Sequence, residues 1–272
     1  MADNYLEKKF EEHLNAPYKP AQRKANALRQ RRVVVTGGAN GIGRVIVKSL
    51  RVAAHKVAFC DIDDQAGRET ALSTGADYFH VDVTDVAALR SFFSLLEEKW
   101  GGVDAIVNNV TAKLKAGILD VTPEQFDLAI ATDVRPILIG AQEMARMRCK
   151  SPSAGASCYG RIVNICSSCQ RQSMPGNDAH AAAKGAVFSL THSLAMSLSP
   201  WHIAVNSISP GKILPSAETT EPDAQLPPAG RVGRPEDVAR LVRFLLDDAS
   251  DFINAENFVI DGGTTRKMIP NQ

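Results

Sequence analysis

No stretch of this chain approaches the roughly 20 consecutive apolar residues that a membrane-spanning helix needs, so the expectation is a protein that works away from the membrane. An excess of one charge is missing too. Lys and Arg number 31 against 30 Asp and Glu, a net charge of +1, which gives no electrostatic footprint for nucleic acid or for an acidic lipid surface. Five cysteines, an odd number scattered without an apolar leader segment, do not make a disulfide framework and suit a reducing compartment. Cytoplasm is the expected location, and Glu7, Glu11 and Glu12 argue against a mitochondrial transit peptide. With 272 residues and 44% hydrophobic side chains, the chain can bury one large core, and small molecules are its expected partners.

The most informative stretch begins at Arg32. A β-branched run, Val33 to Thr36, breaks into a glycine-rich turn and resumes as an apolar-periodic segment through Ile42, Val45, Ile46 and Leu50, which predicts a buried strand leading into a helix. Gly37, Gly41 and Gly43 leave the turn without side chains, so backbone N–H groups and the positive end of the helix can approach a pyrophosphate. Plain strand-to-helix packing is the other use of such glycines. A second strand, Lys56 to Cys60, ends at Asp61, where a carboxylate would accept hydrogen bonds from ribose hydroxyls and repel a 2′-phosphate. Asp61 could equally cap the next helix together with Asp63 and Asp64. Further strands are predicted at Tyr78 to Val81, Val103 to Val107, Ile203 to Ser209 and Asn257 to Ile260. Strands alternating with helical stretches are the sequence form of a doubly wound parallel α/β sheet.

Residues 1–31 read as an extension ahead of one dinucleotide-binding domain spanning 32–272. Tyr5, Leu6, Phe10 and Leu14 form a weak apolar stripe, either lying on the chain's own domain or docking on a neighbouring subunit. The run from Arg29 to Arg32, broken by Gln30, reads as a solvated face. Residues 150–159 read as a solvated connection, and the proline-rich stretch Lys212 to Gly230 reads as a short, stiff substrate loop.

Taken together, Thr36-Gly-Gly-Ala-Asn-Gly-Ile-Gly43, Asp61, Asp82-Val83, Asn108-Asn109, Gly160-Arg-Ile-Val-Asn164, Pro210-Gly211, Gly233-Arg-Pro-Glu-Asp-Val-Ala239 and Asp261-Gly-Gly263 resemble the short-chain dehydrogenase/reductase family in order and spacing. The resemblance covers residues 32–263. It implies a Rossmann-like sheet of about seven strands and hydride transfer between a nicotinamide and a secondary alcohol or ketone, with NAD(H) favoured over NADP(H) by Asp61. It places the cofactor against Gly37, Asn40, Gly41, Ile42, Gly43, Asp61, Asp82, Val83, Asn109, Lys184, Pro210, Gly211 and Ile213, with Asn108 nearby. It also implies a homodimer or homotetramer through the helices Ile137 to Met147 and Ala181 to Leu198.

The reactive end departs from the family pattern. Ser167, which would orient the substrate oxygen, and Lys184, which would hold the ribose, are present. The tyrosine position four residues before Lys184 is His180, and the asparagine position is Asp133. Asn-Asn-Ala-Gly becomes Asn108-Asn-Val-Thr111, and the threonine after Pro-Gly becomes Pro215, with Ser216 beside it. Imidazole titrates near neutrality, at about 6.5 in unperturbed form, so His180 could serve as acid and base despite its shorter reach. Two readings stand: a rewired catalytic network of Asp133, Ser167, His180 and Lys184, or a catalytically silent NAD(H)-binding protein in which His180 merely lines a pocket. Cys166-Ser-Ser-Cys169 has C-x-x-C spacing but no second Cys or His pair, so two small thiols beside a substrate pocket, with Cys169 in contact, are expected rather than a metal site.

Overall fold

A computed structural model describes Lys8, Glu12 and residues 30–112, 114–150, 160–215 and 227–268. The expectations for Tyr5, Leu6, Phe10 and Leu14, for residues 151–159, and for residues 216–226 of the proline-rich stretch lie outside the described residues.

Seven parallel strands form one sheet in the order β3-β2-β1-β4-β5-β6-β7: β1 (Arg32–Thr36), β2 (Lys56–Asp61), β3 (Asp77–His80), β4 (Ala105–Asn108), β5 (Gly160–Ile165), β6 (Ile203–Pro210) and β7 (Asn257–Ile260). The helices between them are α1 (Gly41–Val52), α2 (Asp64–Thr74), α3 (Val86–Trp100), α4 (Pro123–Asp133), α5 (Arg135–Lys150), α6 (Asp178–Ser197) and α7 (Pro235–Leu246). Alternate side chains of each central strand enter opposite cores. Val33, Val35, Ala105, Val107, Val163 and Ile165 meet Ile46, Val47 and Leu50 of α1 and Val238, Val242 and Leu245 of α7. Val34, Ile106 and Ile162 meet Phe92 and Phe93 of α3, Met144 of α5 and Val187 of α6. Each such Val, Ile, Leu, Phe or Met side chain contributes about 1.5–3 kcal/mol of apolar burial, and burial on both faces explains why the strands read as unbroken apolar runs.

Strand boundaries shift from the sequence reading by one or two residues, most clearly in β3 and β4. The ladder between β2 and β3 runs from Ala58↔Asp77 to Asp61↔His80, and β4 pairs from Ala105 onward. Val81 and Val103 are buried beside strands rather than within them. The arginine run needs a larger correction. Arg31 is 1% exposed and paired with Asp248, and Arg32 grips Asp104 through two guanidinium nitrogens at 2.8 and 2.9 Å. Those carboxylates lie 217 and 72 residues away in sequence, so local pattern reading has no access to them.

At the start of α7, Asp237 reaches back to the Arg234 N–H at 2.8 Å and accepts both terminal nitrogens of Arg231. Its carboxyl is held down at about 2, chiefly by the Arg231 hydrogen bonds. This anchors the Val232-Gly233 segment, which bridges to Ile213. A carboxyl whose folded-state pKa is depressed stabilises the fold above its unfolded pKa and loses that contribution as pH falls through the folded value. Asp237→Asn is therefore expected to cost about 1–2 kcal/mol at neutral pH, allowing for solvent around the two arginines. Denaturant unfolding should show the gap between variant and wild type closing as pH falls from about 4 to about 2; a gap that persists at the acid end would contradict this.

Candidate active site

In a sheet whose strands are all parallel, every carboxyl end lies along one edge, and the chain reverses its winding between β1 and β4, which opens a crevice there. Asp61 closes β2, Asn108 closes β4, Ser167 follows β5 and Pro210 closes β6. One edge thus gathers residues spread over 150 positions.

The turn between β1 and α1 is fixed from three sides. Gly37 and Gly38 donate to the Cys60 carbonyl at the end of β2, at 2.8 and 3.3 Å. The Asn109 side-chain amide donates to the Gly37 carbonyl at 2.9 Å, and Thr70 of α2 donates to the Ala39 carbonyl at 3.0 Å. Gly37 has φ +68°, and a Cβ on Gly43 would stand 1.9 Å from the Gly37 oxygen. Gly41, at φ +52°, faces open space, with nothing within 4 Å of where a Cβ would be. Asn40 precedes α1 but spends its side-chain amide on Asp63 at 2.9 Å and makes no side-chain cap. The first turn of α1 therefore offers backbone donors and the helix's positive end to a concave opening, which fits a pyrophosphate.

Asp61 accepts from the Ala39 N–H at 3.0 Å and from the Asp63 N–H at 3.2 Å. Its carboxylate is thereby tied to the glycine turn with acceptor capacity left over, while the cap of α2 is Asp63, bonded to the Ala66 N–H. Asp82 folds back on Thr84 at 2.8 Å, and Val83 is buried. Gly211 donates to Ile260 at 3.2 Å and abuts Asp261, which sets the path of the chain toward Ile213.

The reactive end separates into two groups. In the first, Lys184 and Asp133 form a buried ion pair at 3.1 Å, their side chains 4% and 1% exposed. Lys184 Nζ also donates to the Ile165 carbonyl at 3.1 Å, and Asp133 accepts from the Thr111 hydroxyl and the Ala112 N–H at 2.7 Å each. In the second, Ser167 caps the short 3-10 turn Ser168–Gln170 by accepting the Cys169 N–H at 3.1 Å. The Cys169 thiol is held below the usual thiol range, chiefly by the His180 imidazole and against the effect of burial. Asn177 Nδ2 stands 3.7 Å from the same sulfur. His180 and Lys184 are one turn apart on α6, and the ammonium goes to Asp133. Cys166 is different again: burial pushes its thiol up, and Sγ donates to the Lys184 carbonyl at 3.2 Å. Among the described residues no three His, Cys, Asp or Glu side chains gather as a metal site.

Deeper along the edge, Asn108 donates to Asn164 at 2.9 Å and Asn164 to Thr191 at 3.0 Å, while Asn108 Oδ1 is buried without a partner among the described residues. A cavity of about 240 Å³ lies between the 114–121 segment and the start of α6, walled by Leu114, Val121, Gln125, Asp178 and Ala179.

A family model described as Enoyl-(Acyl carrier protein) reductase matches residues 37–265. An uncharacterized oxidoreductase of Thermotoga maritima is 37% identical over 252 residues, covering 87% of this chain and 96% of that protein. A sorbitol dehydrogenase of Cereibacter sphaeroides is 32% identical over 249 residues, covering 85% and 95%. A solved short-chain dehydrogenase/reductase from Serratia marcescens superposes with a TM-score of 0.79 at 27% identity, over 88% of this chain and all of that one. The chain belongs to the short-chain dehydrogenase/reductase family.

Short-chain dehydrogenases/reductases use nicotinamide cofactors, and the glycine turn with Asp61 gives this member a place of the right shape for one. No helix among the described residues is long and apolar enough to cross a membrane. Pattern reading of this short-chain dehydrogenase/reductase passed over Thr111, Ala112 and Ile165 as partners of the ion pair, and the 114–121 wall of the cavity. A backbone N–H and a backbone carbonyl carry no sequence signal. The 114–121 segment has little periodicity of its own.

Proposed function

We propose that the chain is an NAD(H)-dependent oxidoreductase interconverting a small secondary alcohol and its ketone, with Ser167, His180, Lys184 and Asp133 at the reacting end. Gly37, Asn40, Gly41, Ile42 and Gly43 would hold the pyrophosphate, Asp61 the adenosine ribose, and Asp82, Val83, Asn109, Pro210, Gly211 and Ile213 the rest. When bound, the nicotinamide supplies or accepts a hydride.

The buried Asp133–Lys184 pair carries this reading. Removing two charges from water costs several kcal/mol per ion before their attraction repays it, and the cost is met here at the carboxyl edge of the sheet, beside Ser167. Lys184, held between Asp133 and the Ile165 carbonyl, presents its remaining donor capacity to a ribose. Asp133 compensates that ammonium, one turn from His180 on α6, so the imidazole is not set against an unpaired cation. Ser167 Oγ receives the Cys169 N–H and keeps its own hydroxyl proton to donate to a substrate oxygen. The same reading takes residues 32–272 as the domain and 1–31 as its extension, and pairs copies of the chain through α5 and α6.

One observation favours a second reading, a silent NAD(H)-binding member. Asp133 already accepts from Lys184, Thr111 and Ala112, and no described hydrogen bond joins it to His180. Calorimetric titration with NADH and NADPH, followed by a panel of secondary alcohols and ketones, separates the two. NADH is expected to bind at least tenfold more tightly than NADPH, a difference of about 1.4 kcal/mol, and Asp61→Ala is expected to erase that preference. Turnover lost in His180→Gln supports the rewired site. NADH binding without turnover, with activity emerging in His180→Tyr, would establish the silent reading.

A further inference from the structure

Where α1 gives way to β2 the chain makes a tight turn. Ala54 takes a left-handed backbone at φ +62°, its N–H going to the Arg51 carbonyl at 2.9 Å and the His55 N–H to the Leu50 carbonyl at 3.1 Å. The turn delivers the half-buried His55 to the amino edge of the sheet, opposite the edge that carries the candidate active site. There the Arg31 N–H donates to His55 Nδ1 at 3.1 Å, and the Arg31 carbonyl accepts the Lys56 N–H at 2.9 Å. A backbone N–H can only donate, so Nδ1 presents its lone pair and the ring is neutral, with its proton on Nε2. An imidazolium carries a proton on both nitrogens and cannot make this bond. The surroundings also disfavour the charged ring. Burial comes first in holding His55 below the usual imidazole value, then the charges of Arg31 and of Arg243 on α7, with Asp247 just past α7 opposing them. Arg51 of α1 donates to the His55 carbonyl at 2.8 Å, the Lys56 ammonium lies over the Trp100 ring at 4.8 Å, and Asp248 is taken by Arg31.

We propose that His55 is a proton-operated latch on this edge: neutral, it holds the Gln30–Arg31 backbone against the turn 53–55 and, through Arg31, the 3-10 turn Asp248–Ser250; protonated, it releases both, while the carboxyl edge keeps its structure. Release has two causes. The ring no longer accepts the Arg31 N–H, and a new positive charge stands among Arg31, Arg51 and Arg243. The bond from Gln30 Nε2 to the Ala54 carbonyl at 2.9 Å is exposed and does not hold the edge by itself. An imidazole whose folded-state pKa lies below its unfolded value stabilises the fold fully above about 6.5 and loses that contribution as pH falls from there through the folded value, where the loss stops. The latch is therefore closed at neutral pH and opens in mild acid.

The experiment is hydrogen exchange of the full chain, without cofactor, read by mass spectrometry from about pH 7.5 to about pH 5, each rate scaled to the intrinsic rate at its pH. Peptides covering residues 30–32, 51–57 and 247–250 are expected to open about tenfold more at the acid end, with β4 and β5 unchanged. His55→Gln offers an amide oxygen to the Arg31 N–H and does not titrate, so its profile is expected to be flat. A wild type whose three peptides open no more in acid than at neutral pH overturns the proposal without recourse to any variant. So does a rise shared equally by β4 and β5, which is acid unfolding of the whole domain, or a rise that persists in His55→Gln. Because neither nicotinamide nor turnover enters the measurement, its outcome is independent of the oxidoreductase reading.

Discussion

Asp133→Ala is expected to destabilise the protein by about 3–5 kcal/mol, the range for breaking a buried ion pair from one side. The substitution strands the Lys184 ammonium, 4% exposed, with the Ile165 carbonyl as its described hydrogen-bond acceptor. It also takes the acceptor away from the Thr111 hydroxyl and the Ala112 N–H. Asp133→Asn keeps an acceptor for those groups and removes only the charge, so its cost should be smaller, about 1–3 kcal/mol. Removing both charges together, as Asp133→Leu with Lys184→Met, should recover much of the loss, since neither ion is then left unpaired. Denaturant midpoints for the three variants measure this directly. A loss below about 1 kcal/mol for Asp133→Ala would mean that the pair is hydrated or that Lys184 finds another partner.

Gly43→Ala is expected to produce the largest effect on cofactor binding, a loss of about a hundredfold or more in NADH affinity, or about 2.7 kcal/mol. The added methyl would sit 1.9 Å from the Gly37 oxygen and 2.6 Å from Asn109 Nδ2, and the first is backbone that no rotamer change relieves. The turn must open, and its opening releases the Asn109 bond that ties it to β4. Gly41→Ala makes an informative comparison. It meets open space, so its penalty comes from a left-handed backbone, roughly 1–2 kcal/mol, and from a methyl protruding into the opening. Isothermal titration of both variants, with thermal unfolding of the same samples, separates loss of the cradle from loss of the fold. Unchanged NADH affinity in Gly43→Ala would remove the glycine turn from the binding site.

The two ends of the site differ in how legible they are. At the glycine turn, Gly37, Gly41 and Gly43 declare a backbone requirement in the residue type itself, and Asp61 follows at a spacing that one βαβ unit dictates. Local order is enough there. At the reacting end, Ser167, His180 and Lys184 are near in sequence, and their presence is plain, but their partnerships are not. Pattern reading gathered Asp133, Ser167, His180 and Lys184 into one network; the folded chain pairs Lys184 with Asp133 and turns the Ser167 hydroxyl oxygen to the Cys169 N–H.

The sequence by itself determined the alternation of strands and helices, the parallel sheet and the place of the dinucleotide turn, because periodicity and glycine content act over a few residues and survive in one dimension. Tertiary structure alone decided what buries each charge. Arg31 with Asp248, Arg32 with Asp104 and Lys184 with Asp133 are pairs in which a cation is tied to an acid far along the chain. Coulomb attraction and desolvation depend on distance through space and on the water displaced between the partners, and neither is written in the order of the residues.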